Sequence, residues 1–338
     1  MSEYGLIAAR PALVGRPIRP RPDRRPRPWG GSRLGPATQL GPVGELWLAG
    51  PDSLVETAAG VVSLQALSAA EPEALVGSLG RRLMGARFPL LAKLIDTADW
   101  LSLQVHPDDA TAVRLYGEGS VGKTEAWLVV AAEPGAQLIV GPRPGLGSRE
   151  LRRAIRAGAL DGCCEAIEAM PGTTVFVPAG TLHAIGPGIL VYEIQQPSDL
   201  TLRVYDWGRP PVPGRVLHVD EALEALAPAS RARVAVPEDR PETTLFSTPR
   251  FRLDRVLGEG RTVRRPGGAS VHVVTPVAGS ARLTGDDWEE RLGPTETLVV
   301  PACTGRYEIE AGPGAIVCIA SIPGPEASGD PGPTTGAR

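Results

Sequence analysis

Residues 172–194 read GTTVFVPAGTLHAIGPGILVYEI. The apolar runs at its two ends are too short for ordinary helices and are separated by glycine and proline, which is the pattern of two strands joined through turns. A turn just after VFVPAG delivers the one histidine of the stretch, His183, to the mouth of a strand. A fainter copy starts at Thr295, TETLVVPACTGRYEIEAGPGAIVCIA, so the chain carries one architecture twice. Aligned without gaps from their shared Val-Pro-Ala, the copies set Arg306 opposite His183, and the second copy loses that candidate metal ligand.

The same kind of run recurs on both sides: GELWLAG, PLLAKLI, WLSLQVH, EAWLVVA and AQLIVG before it, FRLDRVLG, SVHVVTPV, TLVVPA and AIVCIA after it. With 35 prolines, 41 glycines and 4% aromatic residues among 338, this spacing predicts a mainly β chain built as sandwich or barrel, long enough for two packed modules. Helical patterns are confined to short connectors at Pro107 to Tyr116, Ser148 to Arg156 and Val219 to Leu226. Residues 1–28 read as a Pro/Arg-rich N-terminal arm, because RPIRPRPDRRPRP from Arg16 to Pro28 excludes helix and favours an extended, solvated segment laid over the surface. Residues 323–338, rich in Pro, Gly, Ser and Thr, bury too little to offset their ordering entropy and read as a disordered tail.

A formal net charge of −3 gives no positive field for nucleic acid or an anionic membrane, so neither is an expected partner. The four cysteines, Cys163, Cys164, Cys303 and Cys318, lack metal-site spacing and read as reduced thiols. No stretch approaches 18 apolar residues and the first ten do not form a signal peptide, so a cytoplasmic protein is expected.

Only four histidines exist. His106 ends the alternating run LSLQVH, whose period of two places Ser102, Gln104 and His106 on one face and Leu101, Leu103 and Val105 on the other. Glu125 opens the run EAWLVV. Each of these, like His183, has an ordinary reading on its own: a packed strand histidine or an edge carboxylate. Together they offer two imidazoles and a carboxylate, the donor set of an open catalytic metal site. His218, before a short helix, and His272, in the second copy, read as structural.

A competing motif lies at Gly117 to Thr124, where GEGSVGKT satisfies the phosphate-binding expression G-x-x-x-x-G-K-[ST]. That loop must leave a parallel strand and feed its amides into a helix. Here a helical pattern precedes it and a strand pattern follows, and the chain shows no alternation of strands with long helices. A nucleotide-hydrolysing reading is therefore set aside.

Seven pieces in register, GELW, PLLAKLID, LSLQVHPDD, GKTE, VPAGTLHAIG, EIQQPSDLTLRVYDWGR and LHVDEAL, resemble the short bacterial form of type I mannose-6-phosphate isomerase, a family of cupin metalloenzymes. The resemblance runs from Trp29-Gly30-Gly31 to about Ile322. It implies two cupin-like jelly-roll modules with a few connecting helices: a catalytic metal-binding domain at 29–240 and a second, metal-free one at 241–322. It also implies one zinc ion per chain held by His106, Glu125 and His183, with Gln104 a candidate fourth ligand. Arg203 matches the family's catalytic arginine, Lys123 a pocket cation for the substrate phosphate, and Ser102 a phosphate-contacting serine.

The implied activity is interconversion of mannose 6-phosphate and fructose 6-phosphate through a cis-enediolate, by proton transfer between C2 and C1. A small phosphosugar is then the expected partner, and the chain a monomer or weak homo-oligomer. The proton carrier stays open between Lys123, a carboxylate and metal-bound water. A cupin that binds a sugar without turnover, or uses iron with oxygen, is disfavoured by the pairing of Lys123 with Arg203. Two features depart from the family pattern: the Arg-Pro segment before Trp29, and Leu202 in place of a tyrosine, which puts one pocket contact in question.

Overall fold

Short apolar runs bounded by turn residues become strands along the whole chain. The computed structural model describes residues 15–58, 60–210 and 215–324. Residues 1–14 of the arm, and the tail beyond 324, lie outside the described residues. No helix among the described residues is long and apolar enough to cross a membrane.

The first module faces a large sheet against a smaller wall. The large sheet runs, in spatial order, Asp23–Pro26, Val43–Ala49, Leu91–Asp96, Ile189–Gln195, Glu125–Ala132, Thr174–Val177 and Arg233–Ala235. All its pairings are antiparallel. The wall opposite consists of the pair Leu202–Tyr205 and Leu103–Val105 and the triplet Ala184–Ile185, Gln137–Pro142 and Cys164–Glu168. A bridge between Gln104 and His183 joins the two groups. The second module repeats the arrangement with a five-stranded sheet starting at Glu242–Ser247 and a four-stranded sheet starting at Gly260–Arg264. Non-consecutive neighbours in every large sheet are the crossovers of a jelly roll.

The central strands are buried on both faces; all seven residues of Val43–Ala49 and all six of Leu91–Asp96 are buried. The period of two sorts their side chains. Leu46, Leu48, Leu94, Leu128, Phe176 and Tyr192 share one apolar cluster with Leu245, Phe246, Phe251 and Val273 of the second module. The rings of Phe176 and Phe246 lie 6.2 Å apart across this junction. The alternate residues point into the first module, where Trp127, Val129, Val175 and Val191 form a separate cluster. Double burial is why these strands read as apolar runs, and why the few charges inside them stand out.

Three helices escape sequence reading: Leu64–Ala70, Pro72–Leu75 and Gly77–Met84. Pro72 and Gly77 cut the segment into pieces too short to display a helical period. Leu64, Leu67, Leu75 and Val76 nonetheless join the inter-module cluster. At Gly77 (φ +75°) an added Cβ would meet the Ala269 carbonyl oxygen at 2.5 Å, so the helix packs directly on second-module backbone. The expected connectors are present as Asp109–Tyr116, Ser148–Ala157 and Val219–Ala225, the first capped by Asp108, whose carboxylate accepts from Thr111 N.

The described part of the arm is extended along the surface, mostly exposed or half-buried, and it pairs with both modules. Asp23–Pro26 is an edge strand paired with Val43–Ala49, where proline's missing N–H can face outward. Ile18 bridges Val299, and Arg16 and Arg19 reach Asp287 and Glu290, each at 2.8 Å, so the arm crosses to the second module.

His272 opens the strand His272–Ala278 and shares a 2.8 Å hydrogen bond with the Tyr307 hydroxyl. Burial, reinforced by the positive charge of Arg264, pulls its pKa down to about 4. Unfolded, it titrates near about 6.5. Between those values the unfolded chain binds a proton that the folded chain refuses. The contribution is therefore complete above about pH 6.5 and is lost on acidification towards about pH 4. In urea unfolding, His272→Gln is expected to lose up to about 2 kcal/mol less stability than the parent chain between about pH 7 and about pH 5. Equal losses in the two proteins would refute the assignment.

Candidate metal centre

Glu125 is the first residue of the strand Glu125–Ala132 and is fully buried. Its neighbour Trp127, two residues on and so on the same face, donates from Nε1 to Glu125 Oε1 at 3.1 Å and to Glu193 Oε2 at 3.0 Å. From the opposite wall come His106, just past Leu103–Val105, and His183, just before Ala184–Ile185. The ligating atoms of His106, Glu125 and His183 all lie within 4.8 Å of one another.

The tautomers follow from the far ring nitrogens. His106 Nδ1 lies 2.8 Å from the Leu200 carbonyl and His183 Nδ1 2.9 Å from the Thr181 carbonyl. A carbonyl only accepts, so both Nδ1 atoms carry the proton and both Nε2 atoms present lone pairs. Those lone pairs face the carboxylate: His106 Nε2 is 3.3 Å from Glu125 Oε2, and His183 Nε2 is 3.3 Å from Glu125 Oε1. Acceptors converging on acceptors make a candidate seat for a cation. A tetrahedral ion with bonds of about 2.0–2.1 Å keeps its donors about 3.3 Å apart, so the spacing fits a small divalent metal. Gln104 adds its side-chain amide 3.2 Å from His183 Nε2, and Ser102 Oγ donates to Gln104 Oε1 at 3.3 Å.

Lys123 also turns into this cluster, with Nζ 2.8 Å from Glu125 Oε2 and 3.2 Å from His106 Nε2. Burial opposes its charge, but the Glu125 and Glu193 carboxylates outweigh burial and raise its pKa. Burial and then Lys123 hold His106 down to about 3, against the pull of Glu125. Glu125 itself is driven well below the usual carboxylate range, because Lys123 and His106 overcome its desolvation. The lysine comes from the GEGSVGKT loop, which follows the helix Asp109–Tyr116 and leads into a strand, the reverse of a phosphate-binding loop.

The cluster forms the floor of a cleft. Ser102, Gln104, Lys123, Glu125 and Arg203 line it together, five of the seven singled-out side chains, with His106 against Lys123 and Glu125, and His183 against Glu125 and Gln104.

 Five of these border the opening itself, and the two imidazole rings lie one layer deeper, against the carboxylate. Leu101 corrects the expected strand phase. The strand begins only at Leu103, so Leu101 joins the pocket-side cluster with Trp29 and Trp127, while Leu103 and Val105 pack outward under the connecting helices. Leu202 also faces outward, in that outer cluster, so its departure from the family pattern is not a pocket contact.

Most charges in the cleft are matched. Arg27 holds Glu45 through two bonds of 2.9 and 3.1 Å, and Arg215 holds Asp206 at 2.6 Å. Arg203 is different: among the described residues its guanidinium has no hydrogen bond or ion pair, and its Nε is buried without a partner. Its backbone is fixed by pairing with Gln104 and by bonds to His218 on both sides.

Comparison with known proteins places the chain in a family. A family model described as phosphomannose isomerase type I, catalytic domain, matches residues 33–120. A mannose-6-phosphate isomerase of Streptococcus mutans is 38% identical over 229 residues, which cover 66% of this chain and 71% of that protein. The chain belongs to the type I phosphomannose isomerase family. It is accordingly an isomerase of the cupin fold. A probable mannose-6-phosphate isomerase of Bacillus subtilis is 33% identical over 67% of this chain and 73% of its own length. The crystal structure of the mannose 6-phosphate isomerase from Bacillus subtilis superposes with a TM-score of 0.75 at 28% identity, covering 90% of this chain and 99% of that one.

Sequence reasoning missed two pocket charges that this phosphomannose isomerase family member holds on its large sheet. Lys93 and Glu193 are directly opposed on neighbouring strands, between Trp47 on one side and Trp127 on the other. Lys93 Nζ is 3.5 Å from Glu193 Oε1 and 3.6 Å from Asp199 Oδ1. Burial, then the nearby Glu125 charge, raises the pKa of Glu193 against the pull of Lys123 and Lys93. The available signal was a single charge within each of the apolar runs PLLAKLI and GILVYEI, where a solvated edge is the wrong reading for a doubly buried strand.

Proposed function

We propose that the chain interconverts mannose 6-phosphate and fructose 6-phosphate, using one zinc ion held by His106, Glu125 and His183 with Gln104 as fourth neighbour. The observation that carries this reading is the convergence of two imidazole lone pairs on one buried carboxylate at the floor of a cationic cleft. Nitrogen and oxygen donors without cysteine suit a catalytic zinc with an open position. When bound, zinc would polarise the substrate carbonyl and lower the barrier to removing the neighbouring proton. The family relatives carry the same activity in their names.

The roles of the chain's own side chains follow from what each is free to do. Arg203, with an unmatched guanidinium, is assigned to the negative charge that develops as the substrate passes through a cis-enediolate. Lys93, whose nearest carboxylate oxygens are 3.5 Å and more away, retains N–H donors for an anionic oxygen of the phosphosugar. Lys123 is already engaged with Glu125 and His106, so we assign it to neutralising the ligand set rather than to the phosphate position first expected. Ser102 is assigned to holding the Gln104 amide in place. For the proton between C2 and C1 the carboxylate option has a candidate in Glu193: it lines the cleft, is not among the three ligands, and its buried Oε1 accepts no hydrogen bond.

Chelation is expected to abolish the interconversion in a coupled assay, with zinc restoring it and metal analysis finding one ion per active chain. Full turnover by a verified metal-free sample would sink the zinc assignment. Arg203→Ala is expected to lower kcat by ~10²–10³, as the loss of one transition-state donor does. A change confined to KM would make Arg203 a binding residue instead.

A further inference from the structure

The motif GELW puts Trp47 on the same face of the strand Val43–Ala49 as Glu45, which lines the cleft. Trp47 stands between two cations. The Arg25 Cζ lies 3.5 Å from the ring centroid and Lys93 Nζ 4.5 Å from it. Arg25 comes from the edge strand on one side and Lys93 from the strand on the other, so the sheet order puts the two charges on opposite sides of the indole. The ring is anchored in plane as well. Its Nε1 donates to Glu45 Oε2 at 2.7 Å, and Glu45 is clamped by Arg27. Burial would neutralise Glu45, yet Lys93 and Arg27 hold its pKa down at about 2, so the anchor stays ionised.

We infer that Trp47 is a positioning residue for Lys93, its π face holding the ammonium in the cleft with its N–H donors unspent. An aromatic face attracts a cation without accepting a conventional hydrogen bond. A carboxylate partner of equal strength would instead consume the donors. The geometry has this form: Lys93 is almost fully buried and donates no hydrogen bond among the described residues, while the Trp47 ring covers it from behind. Arg25, itself tied to Asp23 at 2.9 Å, packs against the same ring. Without the ring, Lys93 is free to collapse onto Glu193 or Asp199 and withdraw its donors. The inference extends the arm's role: two arginines of the Pro/Arg-rich segment, Arg25 and Arg27, brace the back of the cleft through Trp47 and Glu45.

The inference rests on the assignment of Lys93 to the substrate, and a double-mutant cycle separates the two. Trp47→Leu, Trp47→Phe, Lys93→Met and the Leu/Met double variant are assayed as zinc-loaded full chains. Thermal melts and bound zinc are measured on each. Trp47→Leu is expected to lower kcat/KM about 10-fold, Trp47→Phe, which keeps a π face, by less than about 3-fold, and the double variant to match Lys93→Met. Should Trp47→Leu not fold, Trp47→Met takes its place in the cycle. An additive loss, with Trp47→Leu costing the same factor in the Lys93→Met background, would make Trp47 merely structural and overturn the inference. So would an unchanged Trp47→Leu. A fully active Lys93→Met would overturn the assignment of Lys93 itself, and the inference with it.

Discussion

The structure is organised around one electrostatic requirement: a carboxylate, Glu125, buried at the start of a strand of the large sheet and faced by two imidazole lone pairs. An ionised carboxyl is costly to bury unless it is paired and hydrogen-bonded. Trp127 supplies one hydrogen bond and Lys123 one charge, while the Lys123 ammonium and the Gln104 amide approach the lone pairs of His106 and His183 only at 3.2 Å. A cation seated among the three ligands would satisfy them at once. The main-chain carbonyls of Leu200 and Thr181 enforce this by fixing both rings in the tautomer that turns Nε2 inward.

That requirement demands two rigid surfaces held face to face, since the carboxylate belongs to the large sheet and the imidazoles to the opposite wall. Rigidity on the sheet side comes from the second module. It covers the outer face through Leu245, Phe246, Phe251 and Val273, so that strands carrying Lys93, Glu125 and Glu193 are packed on both sides. A second module that lines up Arg306 with His183 therefore serves as a lid for the back of the sheet, whatever else it does. The helices between Leu64 and Met84 fill the same junction, which explains a helical segment in a chain otherwise built from strands.

The distribution of charge follows the same division. Carboxylates and cations of the cleft are matched in pairs, Arg27 with Glu45 and Arg215 with Asp206, and the exceptions are Arg203 and the loosely held Lys93. An unmatched arginine and a loosely held lysine beside a candidate metal site are what an anionic sugar and an anionic intermediate both call for. Family membership and site geometry thus point to one chemistry by separate routes: the first through the matched chain, the second through which groups are left unsatisfied.

Alternation is a local property, so the sequence by itself determined the strands, the doubled architecture, the helical connectors and the placing of Ser102, Gln104 and His106 on one side of their strand. It also set aside the nucleotide-binding reading of GEGSVGKT, which lies after a helix and before a strand. Where the chain leaves regular structure the same logic failed, as at Leu101, which precedes its strand by two residues and turns to the other side. Only the tertiary structure decided that Lys93 and Glu193 face each other, that Lys123 turns onto the ligands, and that Trp47 lies between Arg25 and Lys93. Those outcomes depend on which strands become neighbours across the sheet and how far the two walls stand apart. Periodicity along a single strand fixes the face of a side chain and carries no information about its partner on the next strand.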